Sequence, residues 1–365
     1  MSATVIVGAG AAGLAVARQL QRRSIGAVLL EQGATGHVWG EHYEGLRLHT
    51  LKQVSALPCL RMPAGLPDFP PGEDVRDYLA DYRAHFGLDV REGVRVQSAT
   101  WAAGEWQIRT TSGDLTARTL VAATGIWSRP VRPAIEGLSA FAGPVIHSAE
   151  YRRAGPFAGR RVLVVGAGNS GSEIAVDLAA AGAAVAISVR SGVLFVPRPR
   201  SAWRSALSAF VLRHVPDRLA SALIDSVRPD FSDLGLPPPE GLSARAYPVV
   251  GYELPEAVRT GRVDVVGAID RFETEAVIFS DGSRRPIDAV VLATGFRPAL
   301  DWLDDSVVRY SDAGTPVVDD RWRSVAQPTL SCVGFDYPNT EGWFQALGRV
   351  SKQAAAGVEE NLDAV

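Results

Sequence analysis

One pattern of apolar and polar positions occurs twice along the chain. Residues 4–7 form a short β-branched run that enters a glycine loop, and an alanine-rich stretch with helical spacing leaves it. Residues 161–165 enter a second glycine loop in the same way, and a further apolar run follows each helix, at residues 27–31 and 183–190. Strand, glycine turn, helix and strand in this order predict a βαβ unit, so the chain begins the same fold twice.

A second repeat indicates where each fold closes. Residues 121–125 and residues 290–295 are apolar runs that both end in Thr-Gly. Such an ending lets a strand turn beside a cofactor without side-chain bulk. A last strand is predicted at residues 330–334, and a C-terminal helix is predicted around residues 344–358.

These repeats predict an α/β protein with two Rossmann-like dinucleotide-binding domains. The first domain comprises residues 1–148 and 297–365, and the second, residues 149–296, is inserted into it. Residues 193–254 interrupt the second domain with many prolines and with a helical stretch at residues 203–224. We interpret this stretch as ordinary packing of an inserted helix, with a substrate lid and a membrane-surface face as the alternatives.

Composition and charge exclude several classes of function. With 365 residues and a formal charge of −3, the chain suits two domains and has no basic excess for nucleic acid. No apolar run approaches the roughly 20 residues that cross a bilayer, and a strand starting at residue 4 leaves no room for a signal peptide. The cytoplasm is therefore the expected location. Cys59 and Cys332 form no C-x-x-C, so neither a redox dithiol nor a zinc site is predicted.

The first loop has the Gly8-x-Gly10-x-x-Gly13 spacing of a dinucleotide-binding turn. Its glycines permit a tight turn, close approach to a diphosphate and close packing of helix on strand, and the helix N-terminus attracts phosphate. Glu31, at the end of the next strand, can accept hydrogen bonds from both ribose hydroxyls of FAD or NAD. The predicted contacts are Gly8, Gly10, Ala11, Ala12, Gly13, Glu31 and Gln32.

The second loop differs where Glu31 stands in the first. That position falls at Val189 and Arg190, where there is no carboxylate. The planar cation of Arg190 can pair with the 2′-phosphate of NADP, which a carboxylate would repel. The alternative is that Arg190 is only a solvated charge at a strand end. The predicted contacts are Gly166, Gly168, Asn169, Ser170, Gly171 and Arg190.

Two dinucleotide folds in one chain imply electron transfer between two bound nucleotides. A flavin is the usual partner of a nicotinamide in such transfers. The cofactors are therefore predicted to be FAD at the first loop and NADPH at the second, with no metal.

Residues between the loops resemble a known fingerprint. Phe141, Gly143, His147 and Tyr151 match the pattern F-x-G-x-x-x-H-x-x-x-W/Y of the class B flavin monooxygenases. This family includes the flavin-containing, the Baeyer–Villiger and the YUCCA-type monooxygenases. The proline-rich excursion, with its runs at residues 234–239 and 248–251, resembles the YUCCA-like branch most. The resemblance implies that His147 organises the domain linker and is not a proton donor.

The resemblance covers nearly the whole chain and implies further contacts. Residues 36–39 resemble the family's G-G-x-W flavin segment, with His37 in place of the second glycine, and residues 46–53 resemble the segment across the flavin ring. Residues 334–336, which end in Asp336, are expected to close the ribityl side. The remaining predicted cofactor contacts are Trp39, Thr50, Thr124, Gly125, Thr294 and Gly295.

The resemblance also implies a reaction. NADPH reduces FAD, and the reduced flavin takes up O2 at C4a to give a (hydro)peroxyflavin, which inserts one oxygen atom into a small organic substrate. His49 is the predicted catalytic residue, because histidines exchange protons near neutral pH. An equally weighted alternative is that His49 is a hydrogen-bonded spacer between flavin and nicotinamide.

Other functions stay open at this level. One is an NADPH-dependent flavin reductase that passes electrons to a quinone or protein acceptor, and another is a nucleotide-binding sensor without turnover. The substrate class is either a carbonyl compound or 2-oxo acid, or else a soft nitrogen or sulfur nucleophile. A homodimer also stays open.

Overall fold

The computed structural model describes residues 2–241, 246–335 and 343–364, so the contact expected at Asp336 lies outside the described residues. By internal contacts the chain divides into two compact units. The first unit comprises Met1–Glu41, Thr50–Arg129 and Phe296–Val365, and the second comprises His42–His49 and Pro130–Gly295. The contacts therefore place the first boundary at Arg129 and not at Ser148, and they assign a short early segment to the second unit.

The helices and strands follow one another in the order of two successive α/β folds. The helices are α1 Ala11–Gln21, α2 Gly72–Phe86, α3 Asn169–Ala180, α4 Ala202–His214, α5 Asp217–Val227, α6 Glu253–Arg259 and α7 Trp343–Asp363. The strands are β1 Ser2–Val7, β2 Ala27–Glu31, β3 Val90–Glu92, β4 Val96–Ala102, β5 Glu105–Thr110, β6 Leu115–Ala122, β7 Arg129–Pro130, β8 Val145–His147, β9 Arg161–Val165, β10 Ala184–Ser188, β11 Phe195–Val196, β12 Val249–Val250, β13 Val263–Val266, β14 Ile269–Phe272, β15 Ala276–Phe279, β16 Arg284–Pro286, β17 Ala289–Leu292, β18 Phe296–Arg297 and β19 Leu330–Cys332.

The first unit is built on a seven-stranded sheet. Its order is β3-β2-β1-β6-β5-β4, and β19 pairs with the far end of β6. Strands β3, β2, β1, β6 and β19 are parallel, whereas β4 and β5 form an antiparallel extension. The central strand β1 is buried in the middle of the sheet, where Val5 and Ile6 are almost fully buried and Thr4 is a buried polar residue. Helices α1 and α7 pack against each other in this unit.

The second unit repeats the parallel arrangement on a five-stranded sheet. Its order is β13-β10-β9-β17-β8, and all four pairings are parallel. A small antiparallel sheet, β14-β15-β16, follows β13 along the chain. The buried core beneath α3 contains Val162, Val164 and Ile174, and Tyr43 from the early segment joins that core. Both predicted βαβ units are thus present, and the α/β fold class is confirmed.

The excursion after β10 differs from its prediction. Residues 203–224 are two helices, α4 and α5, and not one stretch. Val215 and Pro216 separate them, because proline lacks the N–H that a helix interior needs and disfavours helix at the preceding residue. The predicted packing is not found either, since most large apolar side chains of both helices are exposed, with Leu212 and Ile224 partly buried. No helix within the described ranges is long and apolar enough to cross a membrane.

Candidate functional site

The first glycine turn has a backbone that requires glycine. Gly8 has a φ of +104°, and its N–H donates to the Leu30 carbonyl at 2.8 Å. A Cβ on Gly13 would stand 2.0 Å from the Gly8 carbonyl oxygen, so α1 packs on this turn only because residue 13 is glycine. A Cβ on Gly10 would meet no described protein atom within 4 Å, which leaves its backbone open to a ligand.

The second glycine turn has the same geometry. Gly166 has a φ of +102°, and its N–H donates to the Ser188 carbonyl at 3.0 Å. A Cβ on Gly171 would stand 1.9 Å from the Gly166 carbonyl oxygen, whereas one on Gly168 would meet no described atom within 4 Å. The structure therefore brings the three predicted glycines of each loop into equivalent positions.

The helices that leave these turns begin without a protein cap. Gly10 and Gly168 are their N-caps, both with extended backbone, and neither helix has an acidic residue in its first turn. The N–H groups of a first helical turn lack partners within the helix and carry partial positive charge. Two uncapped helix starts with open glycine backbones fit the diphosphates of two dinucleotides. The predicted contacts in these first turns are Ala11, Ala12, Asn169 and Ser170.

The carboxylate of Glu31 stands beside the first turn. It accepts hydrogen bonds from the Ala9 N–H at 2.8 Å and from the Gly33 N–H at 3.0 Å, and it is buried. His37, the departure from the family pattern, has Nδ1 3.6 Å from the same carboxylate. The neighbouring Gln32 is exposed. These bonds fix Glu31 at the strand end, where it fits the ribose of an unphosphorylated adenosine.

Strand register identifies the counterpart of Glu31 in the second turn. Val7 pairs with Leu30 in the first sheet, and Val165 pairs with Ser188 in the second. The residue after Ser188 is Val189, so an apolar side chain replaces the carboxylate. The next residue, Arg190, is exposed and has no ion-pair partner among the described residues. A free guanidinium at this strand end fits a 2′-phosphate.

The two Thr-Gly strand ends are also equivalent. Gly125 and Gly295 have φ values of +78° and +84°. The Thr124 hydroxyl donates to the Ala299 carbonyl at 3.3 Å, and the Thr294 hydroxyl donates to the Val131 carbonyl. Each threonine hydroxyl thus donates to a carbonyl that lies, in sequence, within a few residues of a boundary between the units. The sequence did not predict these two hydrogen bonds.

The fingerprint histidine is fixed in one neutral tautomer. His147 is fully buried, and the Ala149 N–H donates to its Nδ1 at 3.1 Å. Its Nε2 must then carry the proton, which it donates to the Gly295 carbonyl at 3.1 Å. Burial lowers the pKa of His147, aided by the charge of Arg132 and opposed by the Gly295 bond and by Glu150. This geometry suits an organising residue and not a proton donor.

Tyr43 and His49 both contact the carboxylate of Glu173 on α3, and we call these three residues the Glu173 cluster. His49 is the predicted catalytic residue among them. Its Nε2 lies 2.7 Å from Oε1 of Glu173, and the Tyr43 hydroxyl donates to Oε2 of the same carboxylate at 2.6 Å. Burial, reinforced by the negative charge of Glu173, raises the pKa of Tyr43 above its usual range. Tyr43 therefore stays protonated and donates, and Glu173 serves as the acceptor for both neighbours.

Both ends of the Asn169 side-chain amide form hydrogen bonds with backbone groups of the protein. Its Nδ2 donates to the Pro248 carbonyl at 2.8 Å, and its Oδ1 accepts from the Val250 N–H at 3.0 Å. Both ends of the amide therefore tie the start of α3 to β12. Nδ2 keeps a second hydrogen, so the side-chain amide and the backbone N–H of Asn169 can both still donate to a nucleotide.

Trp39 and Thr50 lie in the first unit. The Trp39 ring is 5.7 Å from the Phe344 ring, and the Thr50 hydroxyl lies 2.7 Å from the Ser55 hydroxyl. The same unit holds Gly8, Gly10, Gly13, Glu31 and Thr124, and the second unit holds His49, Arg190, Thr294 and the second glycine turn. The predicted contacts are thus grouped by unit as the two repeats imply.

The roles of Tyr43 and Glu173 were missed by sequence reasoning. Glu173 follows the second turn, and Asp177, one helical turn later, accepts a hydrogen bond from Tyr151 at 2.5 Å. Two carboxylates four residues apart on one helix share a face, which was the available signal. Their partners could not be inferred, because Tyr43 and His49 are more than a hundred residues away in sequence.

Comparison with known proteins places the chain in a family. A family model described as pyridine nucleotide-disulphide oxidoreductase matches residues 5–214. The chain is 33% identical over 351 residues to indole-3-pyruvate monooxygenase YUCCA1 of Oryza sativa subsp. japonica, covering 91% of this chain and 86% of the relative. It is 34% identical over 373 residues to YUCCA6 of Arabidopsis thaliana, covering 95% and 89%.

The chain belongs to the class B flavin monooxygenases. As a member of this family it is an FAD- and NADPH-dependent monooxygenase that acts with O2 on a small molecule. The predicted cofactors and reaction type are confirmed, and the flavin reductase alternative is not favoured.

Solved structures agree with this assignment. The flavin-containing monooxygenase from Stenotrophomonas maltophilia matches with a TM-score of 0.78 at 26% identity, covering 99% of both chains. A double mutant of the flavin monooxygenase from that organism gives 0.80 at the same identity and coverage. Cyclohexanone monooxygenase shares the fold, with a TM-score of 0.74 at 19% identity over 98% of this chain and 88% of that one.

The cysteines of this flavin monooxygenase do not support disulfide chemistry. Cys59 is exposed and Cys332 is buried, and neither forms a disulfide. Burial raises the pKa of Cys332 to about 12, which makes its thiol a poor nucleophile. The family description refers to disulphide reduction, but this chain has no C-x-x-C to perform it.

Proposed function

We propose that this monooxygenase binds FAD at the first glycine turn and NADPH at the second. The single observation that supports this order is the contrast at the two strand ends. Glu31, a buried carboxylate, suits a free ribose and repels phosphate, whereas Val189 followed by the unpaired Arg190 attracts a 2′-phosphate. The proposed contacts are those predicted from the sequence, and the Asn169 side chain is oriented by its bonds to Pro248 and Val250.

We further propose that the substrate is a 2-oxo acid. The relatives with 33–34% identity over most of this chain are indole-3-pyruvate monooxygenases, which are named for such an acid. Oxygen insertion would then consume one 2-oxo acid, one O2, one NADPH and one proton. The products are CO2, water, NADP⁺ and the carboxylic acid that is one carbon shorter.

Bound FAD, once reduced by NADPH, supplies the activation of O2. The protein positions the cofactors, excludes water and controls protons. We assign proton control to His49. Tyr43 occupies one oxygen of Glu173 and the other oxygen accepts from His49 Nε2–H, which leaves Nδ1 of His49 to accept a proton. Glu173 is in this proposal a positioning residue, because it acts through His49.

The function is tested with purified protein and three substrates. NADPH oxidation, O2 uptake and product are measured with indole-3-pyruvate, cyclohexanone and a dialkyl sulfide. We expect about one shortened acid per NADPH with the 2-oxo acid and mainly hydrogen peroxide with the others. Oxygenated ketone or sulfide without any shortened acid would contradict the substrate class. NADPH oxidation that needs a quinone and no O2 would contradict the reaction itself.

Location and assembly are parts of the same proposal. We take the enzyme to work in the cytoplasm, without a nucleic-acid partner and as a homodimer. Sedimentation velocity at several concentrations, with and without duplex DNA, tests the last two statements. A monomer at micromolar concentration or a DNA-bound species would contradict them.

A further inference from the structure

Helices α4 and α5 carry most of the exposed large apolar side chains. Twelve such side chains are exposed among the described residues, and seven of them lie on these two helices. On α4, Trp203, Phe210 and Leu207 are 68%, 57% and 53% exposed. A concentration of this kind marks an interaction surface, because scattered single exposures are the norm for a soluble protein.

The exposed residues of α4 form one stripe. Trp203, Leu207, Phe210 and Val211 follow the i, i+4, i+7, i+8 spacing of a single helix face. We call this stripe, together with Arg200 and Arg204, the α4 surface. Arg204 borders the stripe in the helical projection, Arg200 lies two residues before the start of α4, and neither has an ion-pair partner among the described residues. The Arg204 guanidinium carbon lies 5.9 Å from the centre of the Trp203 ring.

The charge of this region is the reverse of the whole chain's charge. Residues 191–216 contain four arginines and no aspartate, glutamate or lysine, while the chain as a whole has a formal charge of −3. Arg198 is paired with Glu253 at 2.8 Å, so among the described side chains the charge available to a partner comes from Arg200 and Arg204. Two such arginines beside exposed tryptophan and phenylalanine are complementary to an anionic partner. This is also the composition of helices that lie in the interface of a bilayer, with arginine towards the headgroups and aromatic side chains below them.

Helix α5 adds a second stripe. Leu219, Leu223 and Val227 are exposed at four-residue intervals. Asp217 and Asp225 are displaced by more than about 100° around the helix axis from the centre of this stripe. Asp225 is also neutralised by Arg228 at 2.6 Å. The acidic side chains of α5 therefore do not border its apolar stripe.

We propose that the α4 surface docks on an anionic lipid surface, as a peripheral contact that is distinct from the cofactor sites. A second copy of the chain fits less well, because α4 has no carboxylate to pair with the arginines of its twin. A flat bilayer accepts the stripe without a complementary pocket. The arginine side chains then add electrostatic attraction to the apolar contact.

The test is cosedimentation of the FAD-loaded enzyme with vesicles. Neutral phosphatidylcholine vesicles are compared with vesicles that also contain phosphatidylglycerol, at low and high salt. We expect binding to the anionic vesicles that is at least about tenfold stronger and that falls with salt. Binding to neither kind, or equal binding to both, would overturn the proposal.

Variants locate the contact. Trp203→Ser with Phe210→Ser removes the apolar anchor and should abolish binding, and Arg200→Gln with Arg204→Gln should weaken it about tenfold or more. The matched control is Val317→Ser with Val325→Ser, two exposed apolar residues of the first unit, which should bind like the parent. NADPH oxidation in solution verifies that each variant is folded. If the serine variant instead converts a dimer into a monomer, the α4 surface belongs to a second copy and the proposal fails.

Discussion

The two glycine turns have almost the same backbone, with φ values of +104° at Gly8 and +102° at Gly166. Both helices start without a side-chain cap. A Cβ at the third glycine of either turn would lie 2 Å or less from a backbone carbonyl oxygen, so glycine is required there. What differs is the end of the next strand. The turn geometry therefore suits dinucleotides in general. The residue at the end of the next strand, about 20 positions later, selects between a free ribose and a 2′-phosphorylated one.

The comparison extends along the two helices. Asn169 occupies the place of Ala11, and Glu173 occupies the place of the fully buried Ala15. In the second unit these polar side chains bind β12 and the Tyr43–His49 pair, whereas the first helix has only small apolar residues there. The second helix therefore organises surrounding chain as well as a cofactor.

The largest expected effect comes from the third glycine of each turn. Gly13→Ala and Gly171→Ala place a Cβ 2.0 and 1.9 Å from a backbone carbonyl. Since neither helix can shift without losing its strand contacts, we expect a loss of several kcal/mol of unfolding free energy. Chemical denaturation measures it. Compared in coenzyme-free form, the matched variants Gly10→Ala and Gly168→Ala should unfold like the parent, and they should lose FAD and NADPH binding, respectively. Equal stability of all four variants would contradict the packing role assigned to the third glycine of each turn.

The next effect concerns the strand ends. Arg190→Ala should raise KM for NADPH about ten- to a hundredfold and leave KM for NADH nearly unchanged, because a charge-assisted pair contributes about 1.5–3 kcal/mol. Steady-state kinetics with both coenzymes measures this, and Arg160→Ala, an exposed arginine before β9, is the control. A parallel loss with NADH would show that Arg190 does not read the 2′-phosphate.

A smaller effect is expected at the Glu173 cluster. Glu173→Gln removes the negative charge and one of the two acceptor oxygens that Tyr43 and His49 share, so hydrogen peroxide released per NADPH should rise several-fold while anaerobic flavin reduction keeps its rate. Tyr43→Phe should raise it less, because one Glu173 bond to His49 remains. His49→Ala should match Glu173→Gln if the carboxylate acts through the histidine. Unchanged coupling in His49→Ala with flavin bound would remove His49 from the mechanism.

The smallest effect is a pH dependence of stability in the second unit. Burial lowers the pKa of His147 in the folded state below its ordinary value of 6.5. The unfolded chain therefore binds the proton first, so stability present above pH 6.5 is lost as the pH falls below it. Denaturation of the parent and of His147→Gln between pH 8 and pH 5 measures the difference. A parent that loses no more stability than His147→Gln on acidification would contradict the lowered pKa of His147.

Much of this architecture followed from local patterns. Both glycine turns, the strand ends at Glu31 and at Val189–Arg190 and the Thr-Gly endings are short-range features. The structure places the turns and the Thr-Gly endings in equivalent positions, and Val189 stands at the position of Glu31 with Arg190 one residue later. Two features were not predictable. The pairing of His49 with Glu173 joins residues 124 positions apart, and the Asn169 amide binds a strand 79 to 81 positions away. No local periodicity records which distant partner a polar side chain will find.

The division of residues 203–224 into two helices was predictable from the sequence. Pro216 stands inside the stretch expected to be one helix, and a proline there ends a helix on steric grounds. The exposure of the apolar stripe of α4 was not predictable. The sequence pattern of such a stripe is the same whether the helix face packs on a core or binds a partner. Only the tertiary contacts distinguish the two.

The eight residues His42–His49 have a consequence for engineering. They lie between two stretches of the first unit in sequence, yet they are held by contacts of the second. A recombinant fragment cut at Pro130 and Gly295 would lack Tyr43, a member of its own apolar core, and would leave Glu173 without its two hydrogen-bond neighbours. Exchange of the coenzyme-binding module between relatives must therefore transfer this early segment as well, so the chain is best recombined at four junctions.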